Sequence, residues 1–234
     1  MTGTLYGLGI GPGDPDLITL KALKILQNSP VVAYPTLEDG DSLARAIVAP
    51  HLSGEQEEIA IRIPMAVERK PAQDAYDTAA EQLSACLASG RDIAVLCEGD
   101  PFFYGSFMYL FGRMAEKFPV EVVPGVSSLT ACAAALQTPL SARNDVVSVL
   151  PAPLDSATLK ARIEAADSIA IMKVGRHFDR VRTLIQEMGL MDKANYIERA
   201  SMKNQRILSL EDVAADAAPY FSMILIHKRG QAWK

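Results

Sequence analysis

The 234-residue chain has only three cysteines, Cys86, Cys97 and Cys132, and they lie far apart. None forms a CxxC pair, and no histidine stands near them at metal-ligand spacing. This pattern excludes a disulfide framework and gives no sign of a zinc site. We therefore predict buried free thiols in a reducing compartment, and no protein-bound metal.

Long apolar runs and an excess of basic charge are also lacking. The longest apolar stretches, such as 168–172 and 222–226, are far too short to span a bilayer, so no membrane partner is expected. The first residues carry no charged segment and reach glycines at once, which argues against a signal peptide and for a cytoplasmic protein. A net charge of −5 disfavours nucleic acid as a partner, although local basic clusters remain compatible with an anionic small substrate.

Hydrophobic residues make up 49% of the chain, and they fall in alternating strand-like and helical segments. Residues 4–10 read as a strand that ends in glycines, and residues 16–27 read as an amphipathic helix. Repetition of this alternation predicts an α/β fold with largely parallel sheets. Turn chemistry at Pro124-Gly125 suggests two domains, residues 1–123 and 124–234, with no sequence repeat between them.

A glycine-rich turn, Gly7-Leu8-Gly9-Ile10-Gly11-Pro12-Gly13-Asp14, follows the first strand. Glycines allow backbone to approach a ligand closely, so the turn suits a dinucleotide site, a SAM (S-adenosylmethionine) site or simply a tight strand-to-helix turn. Pro12 interrupts the dinucleotide pattern, and Asp14 places negative charge where a phosphate would lie. A phosphate cradle, and with it NAD(P), is disfavoured.

Two further turns follow strands in the same part of the chain. One is Glu98-Gly99-Asp100-Pro101, and the other runs from Val123 to Ser128. Carboxyl ends of strands line the ligand crevice of an open α/β sheet, so these turns could share a cleft with the first one. The alternative is helix capping, by Asp100 or Ser106 in one turn and by Ser127 or Ser128 in the other.

Three motifs in this order, GIGPGD, EGDPFFYGS and VPGVSS, resemble the tetrapyrrole methylase family, the class III SAM-dependent methyltransferases. Within it, the precorrin-2 C(20)-methyltransferases are the most similar group. The stretches that carry this finer resemblance are 31–35, 42–45, 63–65, 102–110, 143–146, 171–176 and 220–224. Uroporphyrinogen-III methylases usually have a second glycine where this chain has Glu98, which favours the C(20) group.

The resemblance implies two α/β domains with a cofactor and substrate cleft between them, in a homodimer that binds SAM in a folded form. Residues that match the family's cofactor contacts are Pro12, Glu98, Gly99, Asp100, Phe103, Ser127, Ser128, Met172 and Ala200. The matches at Met172 and Ala200 rest on single residues, and Met172 reads equally as a core methionine that ends a strand.

The reaction implied is methylation of a tetrapyrrole, precorrin-2, at C-20. It requires in-line alignment of carbon, methyl and sulfur, exclusion of water and removal of a proton. Asp100 is the first candidate for the base and Asp14 the second; Asp100 could equally act electrostatically or hold the cofactor's amino group. Candidates for gripping substrate carboxylates are Arg143, Lys173, Arg176 and Arg199, with Arg45 and Arg113 as alternatives.

Taken singly, each of these cations is more typical of a solvated surface charge, and His177 of a cap or surface group. Three other functions stay open. One is methylation of the cobalt-containing ring or of another ring carbon. A second is an NAD(P)-dependent oxidoreductase built on the first turn, and a third is a SAM- or tetrapyrrole-binding module without catalysis.

Overall fold

The structure is a computed structural model that describes residues 2–37, 40–64 and 69–230. It divides into two compact units, Met1–Ser127 and Ser128–Lys234. The boundary expected at Pro124-Gly125 lies just before this division. Met65, the last residue of one stretch that carries the family resemblance, falls outside the described residues.

The first unit is built on one fully parallel sheet in the order β3-β2-β4-β1-β5. Its strands are β1 (Leu5–Gly9), β2 (Val31–Leu37), β3 (Glu57–Ile63), β4 (Ile93–Cys97) and β5 (Val120–Val123). The strands are mostly apolar because helices cover both faces of the sheet.

Four helices provide that cover: α1 (Leu20–Asn28), α2 (Leu43–Val48), α3 (Arg69–Ala88) and α4 (Phe107–Met114). The hydroxyls of Thr19 and Ser42 cap α1 and α2 by accepting backbone N–H groups of the first turn. One core cluster joins the sheet to α1 and α2 through residues such as Leu26, and a second joins it to α3 and α4 through residues such as Phe107.

The strand order of this sheet reverses between β4 and β1: successive connections add strands towards one edge from β1 and towards the other edge from β4. The connection through α1 leaves β1 on one face and passes β4 to reach β2, whereas α4 leaves β4 on the other face and passes β1 to reach β5. Such a reversal opens a crevice outside the carboxyl ends of the two strands, where ligands of open α/β sheets bind. The glycine-rich and EGDP turns both lie at this point.

The second unit has a mixed sheet in the order β6-β7-β10-β8-β9. Its strands are β6 (Val147–Pro151), β7 (Ser168–Met172), β8 (Ala194–Glu198), β9 (Arg206–Leu208) and β10 (Ser222–His227). Among these five strands, β6 and β7 pair in parallel, whereas β8 pairs antiparallel with β9 and β10 runs antiparallel to both of its neighbours. The expectation of largely parallel sheets is therefore wrong here, because apolar periodicity does not encode the direction of a strand.

Helices α6 (Ser156–Glu164) and α7 (Phe178–Glu187) cover one face of this sheet, and α5 (Ser128–Ala135) covers the other. Each unit is α/β, which confirms the predicted fold class. All three cysteines are buried and free, as expected. Across the described ranges, no helix is both long and apolar enough to cross a membrane.

Candidate functional site

The glycine-rich turn after β1 and the EGDP turn after β4 are joined directly by backbone hydrogen bonds. The Ile10 N–H donates to the Cys97 carbonyl at 3.0 Å, which extends the β1–β4 ladder by one residue. Beyond it, Gly11 and Gly99 form an isolated antiparallel bridge, with Gly99 N–H donating to the Gly11 carbonyl at 2.8 Å. The two motifs thus form one continuous hydrogen-bonded unit.

Glycines at this junction let the three motif turns pack backbone against backbone. A Cβ on Gly125 would lie 2.0 Å from the Gly99 carbonyl oxygen, and one on Gly9 would lie 2.4 Å from the Gly125 nitrogen. Gly11 has a φ of +83°, which favours glycine for a separate, conformational reason. The space left by the missing side chains of Gly9 and Gly125 is filled by neighbouring turns, so these glycines bring the motifs together.

Asp100 ties the EGDP turn to the turn that follows β5. Its Oδ1 accepts the backbone N–H groups of Phe102 and Phe103 at 2.9 and 3.1 Å. Its Oδ2 accepts the backbone N–H of Gly125 at 3.0 Å. The expected alternative, an N-cap of the following helix, is not what forms: Asp100 organises its own turn and the neighbouring one, well before α4 begins at Phe107.

The other acidic residue of the first motif has a local role. Asp14 Oδ1 accepts the Asp16 backbone N–H at 2.9 Å and so caps the short 3-10 turn Pro15–Leu17. Pro12, two residues before Asp14, is buried. The remaining predicted cofactor contacts of this unit, Phe103 and Ser127, are half-buried.

Glu98 is the first residue after β4, and its side chain is half-buried. Burial raises the pKa of its carboxyl group, and hydrogen bonds from its own backbone N–H and from that of Ala44 partly offset this rise. Ala44 lies in the first turn of α2.

Two of the three turns, residues 7–14 and 98–103, carry acidic residues, and neither these two nor residues 123–128 contain lysine or arginine. Carboxylates and bare carbonyl groups suit a cationic ligand and repel a phosphate. The chemistry of these groups therefore fits a ligand that carries a sulfonium and an ammonium group.

In the second unit, the predicted cofactor residues Met172 and Ala200 belong to one apolar cluster. Met172 packs against the group that contains Ala200, Cys132 and Met223. Cys132 comes from α5, the helix that begins at Ser128, so the structure brings the second-unit candidates onto one face of the sheet. Met172 is only half-buried, as the last residue of β7.

Three predicted substrate-binding cations, Lys173, Arg176 and Arg199, follow the carboxyl ends of β7 and β8. These ends meet at the same edge of the sheet because β10 runs antiparallel between them. Lys173 and Arg199 have φ values of 57° and 49°, in the left-handed region. Such conformations are uncommon outside glycine and concentrate at functional loops.

Glu198 is a residue of this edge that sequence reasoning missed. Its side chain is 3% exposed, and its Oε2 lies 3.4 Å from Arg199 Nη1 and 3.7 Å from Arg206 Nη1. The Tyr196 hydroxyl donates to its Oε1 at 2.9 Å. A charged residue that ends an apolar strand directly before an arginine is the signal that could have identified it.

Arg143 lies apart from the other three predicted cations. It belongs to the loop before β6, and that loop is tied to the carboxyl end of β10 by a contact of 3.3 Å between Asp145 Oδ2 and His227 Nε2. Asp145 also pairs with Arg229 and accepts the Ala142 backbone N–H at 2.8 Å. Since β10 is antiparallel to β7, this loop lies at the opposite edge of the second sheet.

The alternative cations are engaged in ion pairs of the first unit. Arg45 forms a bidentate pair with Glu58, both bonds being 2.9 Å long, and Arg113 binds Asp77 at 2.6 Å. These ion pairs give Arg45 and Arg113 a structural role within the first unit. His177 is the N-cap residue of α7 without a side-chain cap bond, and burial together with nearby arginines lowers its pKa.

The sequence model of the family described as Tetrapyrrole (Corrin/Porphyrin) Methylases matches residues 4–214. The chain belongs to the tetrapyrrole methylase family. This confirms the family predicted from the three motifs, which the structure joins into one hydrogen-bonded junction.

Several curated proteins are similar to almost the whole of this chain. The precorrin-2 C(20)-methyltransferase of a Sinorhizobium species is 40% identical over 96% of this chain and 95% of that protein. The cobalt-precorrin-2 C(20)-methyltransferase of Salmonella typhimurium is 32% identical over 98% of each. The Mycobacterium tuberculosis cobalamin biosynthesis protein CobIJ is 40% identical over 96% of this chain, but the chain spans only 46% of its length.

Solved structures agree on the fold. The uroporphyrin-III C-methyltransferase of Thermus thermophilus, determined in complex with S-adenosylhomocysteine, matches with a TM-score of 0.68. The match covers 97% of this chain and 99% of that one at 23% sequence identity. At this identity the likeness establishes the fold and leaves the ligands of this chain to be argued from its own residues.

Proposed function

We propose that this protein is a SAM-dependent methyltransferase that methylates precorrin-2 at C-20 in cobalamin biosynthesis. The observation that carries the proposal is the junction of the three motif turns, which lies between β1 and β4, where the strand order of the first sheet reverses. The 40% identity to a named precorrin-2 C(20)-methyltransferase, along almost the whole of both chains, supports the substrate and the position.

SAM would supply a methyl group that is already activated by a sulfonium centre. In the first unit, we propose that SAM is contacted by Pro12, Glu98, Gly99, Asp100, Phe103 and Ser127. The acidic character of the turns supports this assignment, since the ligand carries positive charge. In the second unit we assign the same role to Ser128, Met172 and Ala200, which the apolar cluster around α5 supports.

For the substrate carboxylates we propose Lys173, Arg176 and Arg199 as partners. All three lie at the same edge of the second sheet, which supports their acting together on one ligand. Arg199 also lies close to the buried Glu198 carboxylate. An arginine whose guanidinium is already oriented loses less side-chain entropy when it binds a carboxylate. Arg143 remains a separate candidate because its loop lies at the other edge.

The same reaction on the cobalt-containing ring is the second candidate, favoured by the relative from Salmonella typhimurium. The identity to the Sinorhizobium protein named for precorrin-2 is higher, which supports the metal-free ring as the first choice.

We further propose a cytoplasmic homodimer. The exposed apolar side chains of Met108, Tyr109 and Phe111 on α4 support the dimer.

Incubation with labelled SAM and either metal-free precorrin-2 or its cobalt complex tests the proposal. We expect mass spectrometry to show one added methyl group, with faster transfer to the metal-free ring. Faster transfer to the cobalt complex would reverse the choice between the two rings. Absence of transfer to both, by a protein that binds SAM, would overturn the function.

A further inference from the structure

A buried carboxylate lies between two arginine side chains at the carboxyl end of β8. Glu198 is the last residue of β8, and its side chain is 3% exposed. Its Oε2 lies 3.4 Å from Arg199 Nη1 and 3.7 Å from Arg206 Nη1. Its Oε1 accepts a hydrogen bond from the Tyr196 hydroxyl at 2.9 Å. Both carboxylate oxygens are therefore engaged, as burial of a charged group requires.

Strand pairing brings the second arginine to this carboxylate. β9 runs antiparallel to β8, and Arg206, its first residue, is the register partner of Glu198. Directly opposed residues of an antiparallel pair place their side chains on the same face of the sheet, with Cβ atoms about 4.5–5.5 Å apart. Arg206 therefore lies at the edge where β7 and β8 end, the edge that also carries Lys173 and Arg176.

The loop that connects the two strands is held by its own hydrogen bonds. Arg199 has a left-handed φ of 49°, and its N–H donates to the Phe221 carbonyl at 2.7 Å. At the other end of the loop, the Ser201 N–H donates to Gln205 Oε1 at 2.7 Å. These bonds fix the backbone on either side of the loop, so the two arginines start from defined positions beside the same carboxylate.

Two guanidinium groups share one carboxylate, so the cluster carries a net positive charge. The side chains of Arg199 and Arg206 are 32% and 60% exposed, in contrast to the buried Glu198. Of the carboxylates in the described ranges, Glu198 alone lies within ion-pairing distance of either guanidinium. Each guanidinium has five N–H donors in a planar fork. Both arginines therefore keep donors and charge for a second anion.

We propose that Arg199 and Arg206 together bind one carboxylate of the tetrapyrrole, and that Glu198 is the positioning residue that holds them for it. This inference rests on the proposed function and adds Arg206 as a substrate contact. The Glu198 charge offsets the repulsion between the two guanidinium groups, so they lie side by side before the substrate arrives. A carboxylate that meets arginines already in place costs less side-chain entropy to bind.

The test measures binding of the ring and of SAM separately, because both molecules carry a carboxylate. Binding of metal-free precorrin-2 is followed by absorbance in the presence of S-adenosylhomocysteine, so it does not depend on methyl transfer. SAM binding is followed by calorimetry, and KM and kcat come from turnover. The variants are Arg199→Gln, Arg206→Gln, the double variant and Glu198→Gln. Arg162→Gln, on the exposed face of α6, is the matched control.

For Arg206→Gln we expect the Kd and KM for the ring to rise by about tenfold or more, the effect of losing a charge-assisted hydrogen bond. SAM affinity should be unchanged. The double variant should raise the ring Kd by less than the product of the two single effects, because both arginines act on one ligand group. Arg162→Gln should match the wild type for both ligands.

In Glu198→Gln, the amide can still accept the Tyr196 hydroxyl, but no anion remains between the two guanidinium groups. We expect the KM for the ring to rise by about threefold to tenfold, the cost of ordering the two side chains on binding. The kcat should stay within about twofold of the wild type, since the reacting atoms are not touched. A purely structural role would instead lower the melting temperature and the kcat per mole of protein, and leave the KM unchanged.

Wild-type ring affinity in Arg206→Gln would overturn the inference and leave the proposed function standing. Weaker SAM binding with unchanged ring binding would also overturn it, because the pair would then hold the cofactor's carboxylate. Single effects that multiply in the double variant would show two separate contacts and refute the shared site, and an unchanged KM in Glu198→Gln would refute the positioning role. A wild-type protein that binds the ring, follows these affinities and transfers no methyl group would overturn the proposed function alone.

Discussion

The carboxylate of Asp100 accepts a hydrogen bond at 3.0 Å from the backbone N–H of Gly125, a residue 25 positions further along the chain. This bond joins the EGDP motif to the VPGVSS motif, as the bridge between Gly11 and Gly99 joins EGDP to GIGPGD. The family's three motifs are therefore three parts of one structural junction.

Removal of one Asp100 oxygen as an acceptor should loosen that junction. In Asp100→Asn, an amide NH₂ replaces one carboxylate oxygen and cannot accept a backbone N–H. We expect the free energy of unfolding to fall by about 1–3 kcal/mol. Urea denaturation measures this, with Asp74→Asn on the exposed side of α3 as the control. Equal stability of the two variants would show that the bond contributes nothing.

Alanine at position 125 should disrupt the junction sterically. Its Cβ would lie 2.0 Å from the Gly99 carbonyl oxygen, so the backbone must move. We expect Gly125→Ala to lose about 3 kcal/mol or more of stability and to weaken SAM binding. In Gly112→Ala, the new Cβ meets nothing within 4 Å, and a gain of about 0.5–1 kcal/mol is expected in the helix. Matching SAM affinities in the two variants, by calorimetry, would refute the steric argument.

Arg199 should act on the tetrapyrrole and leave SAM binding unchanged. Loss of a charge-assisted hydrogen bond to a substrate carboxylate costs about 1.5–3 kcal/mol, so Arg199→Gln should raise KM by about tenfold to a hundredfold. Arg162→Gln, on the exposed face of α6, is the matched control. Steady-state kinetics with each substrate varied measures the effect. An unchanged KM for the tetrapyrrole would remove Arg199 from substrate binding.

Stability at acid pH should depend on Asp145. The Ala142 N–H, then Arg229 and His227, hold the pKa of this carboxyl below its ordinary value of 3.8. A carboxyl with a depressed pKa stabilises the fold above that ordinary value, and the contribution is lost as the pH falls through the lower, folded-state value. Melting curves between pH 7 and about pH 3 should fall less steeply for Asp145→Asn than for wild type. Parallel curves would contradict this.

Much of the first unit could be predicted from the sequence, because its strands end in recognisable turns. Glycines and prolines follow β1, β4 and β5, and acidic residues follow β1 and β4. They mark turns at the carboxyl ends of the strands, where the loops of a parallel sheet lie close together. What the sequence did not reveal is that Gly9 and Gly125 pack against each other's turns. A glycine pattern predicts close approach of backbone and does not identify the partner.

Less of the second unit could be predicted, for a topological reason. Arg143 precedes β6 and Arg199 follows β8, and these two positions lie at opposite edges because β10, antiparallel to both β7 and β8, leaves β6, β7 and β8 running in the same direction. Glu198 was missed because its importance comes from burial and from its contact with Arg199, which arise on folding. Strand direction and burial of a charged side chain are tertiary properties.

The most direct test of the proposed function is the position of the transferred methyl group. The protein is incubated with SAM that carries ¹³C in its methyl group and with metal-free precorrin-2, and the product is examined by NMR. We expect a single labelled methyl group bonded to C-20. A label on any other ring carbon, or none on the ring, would contradict the assignment.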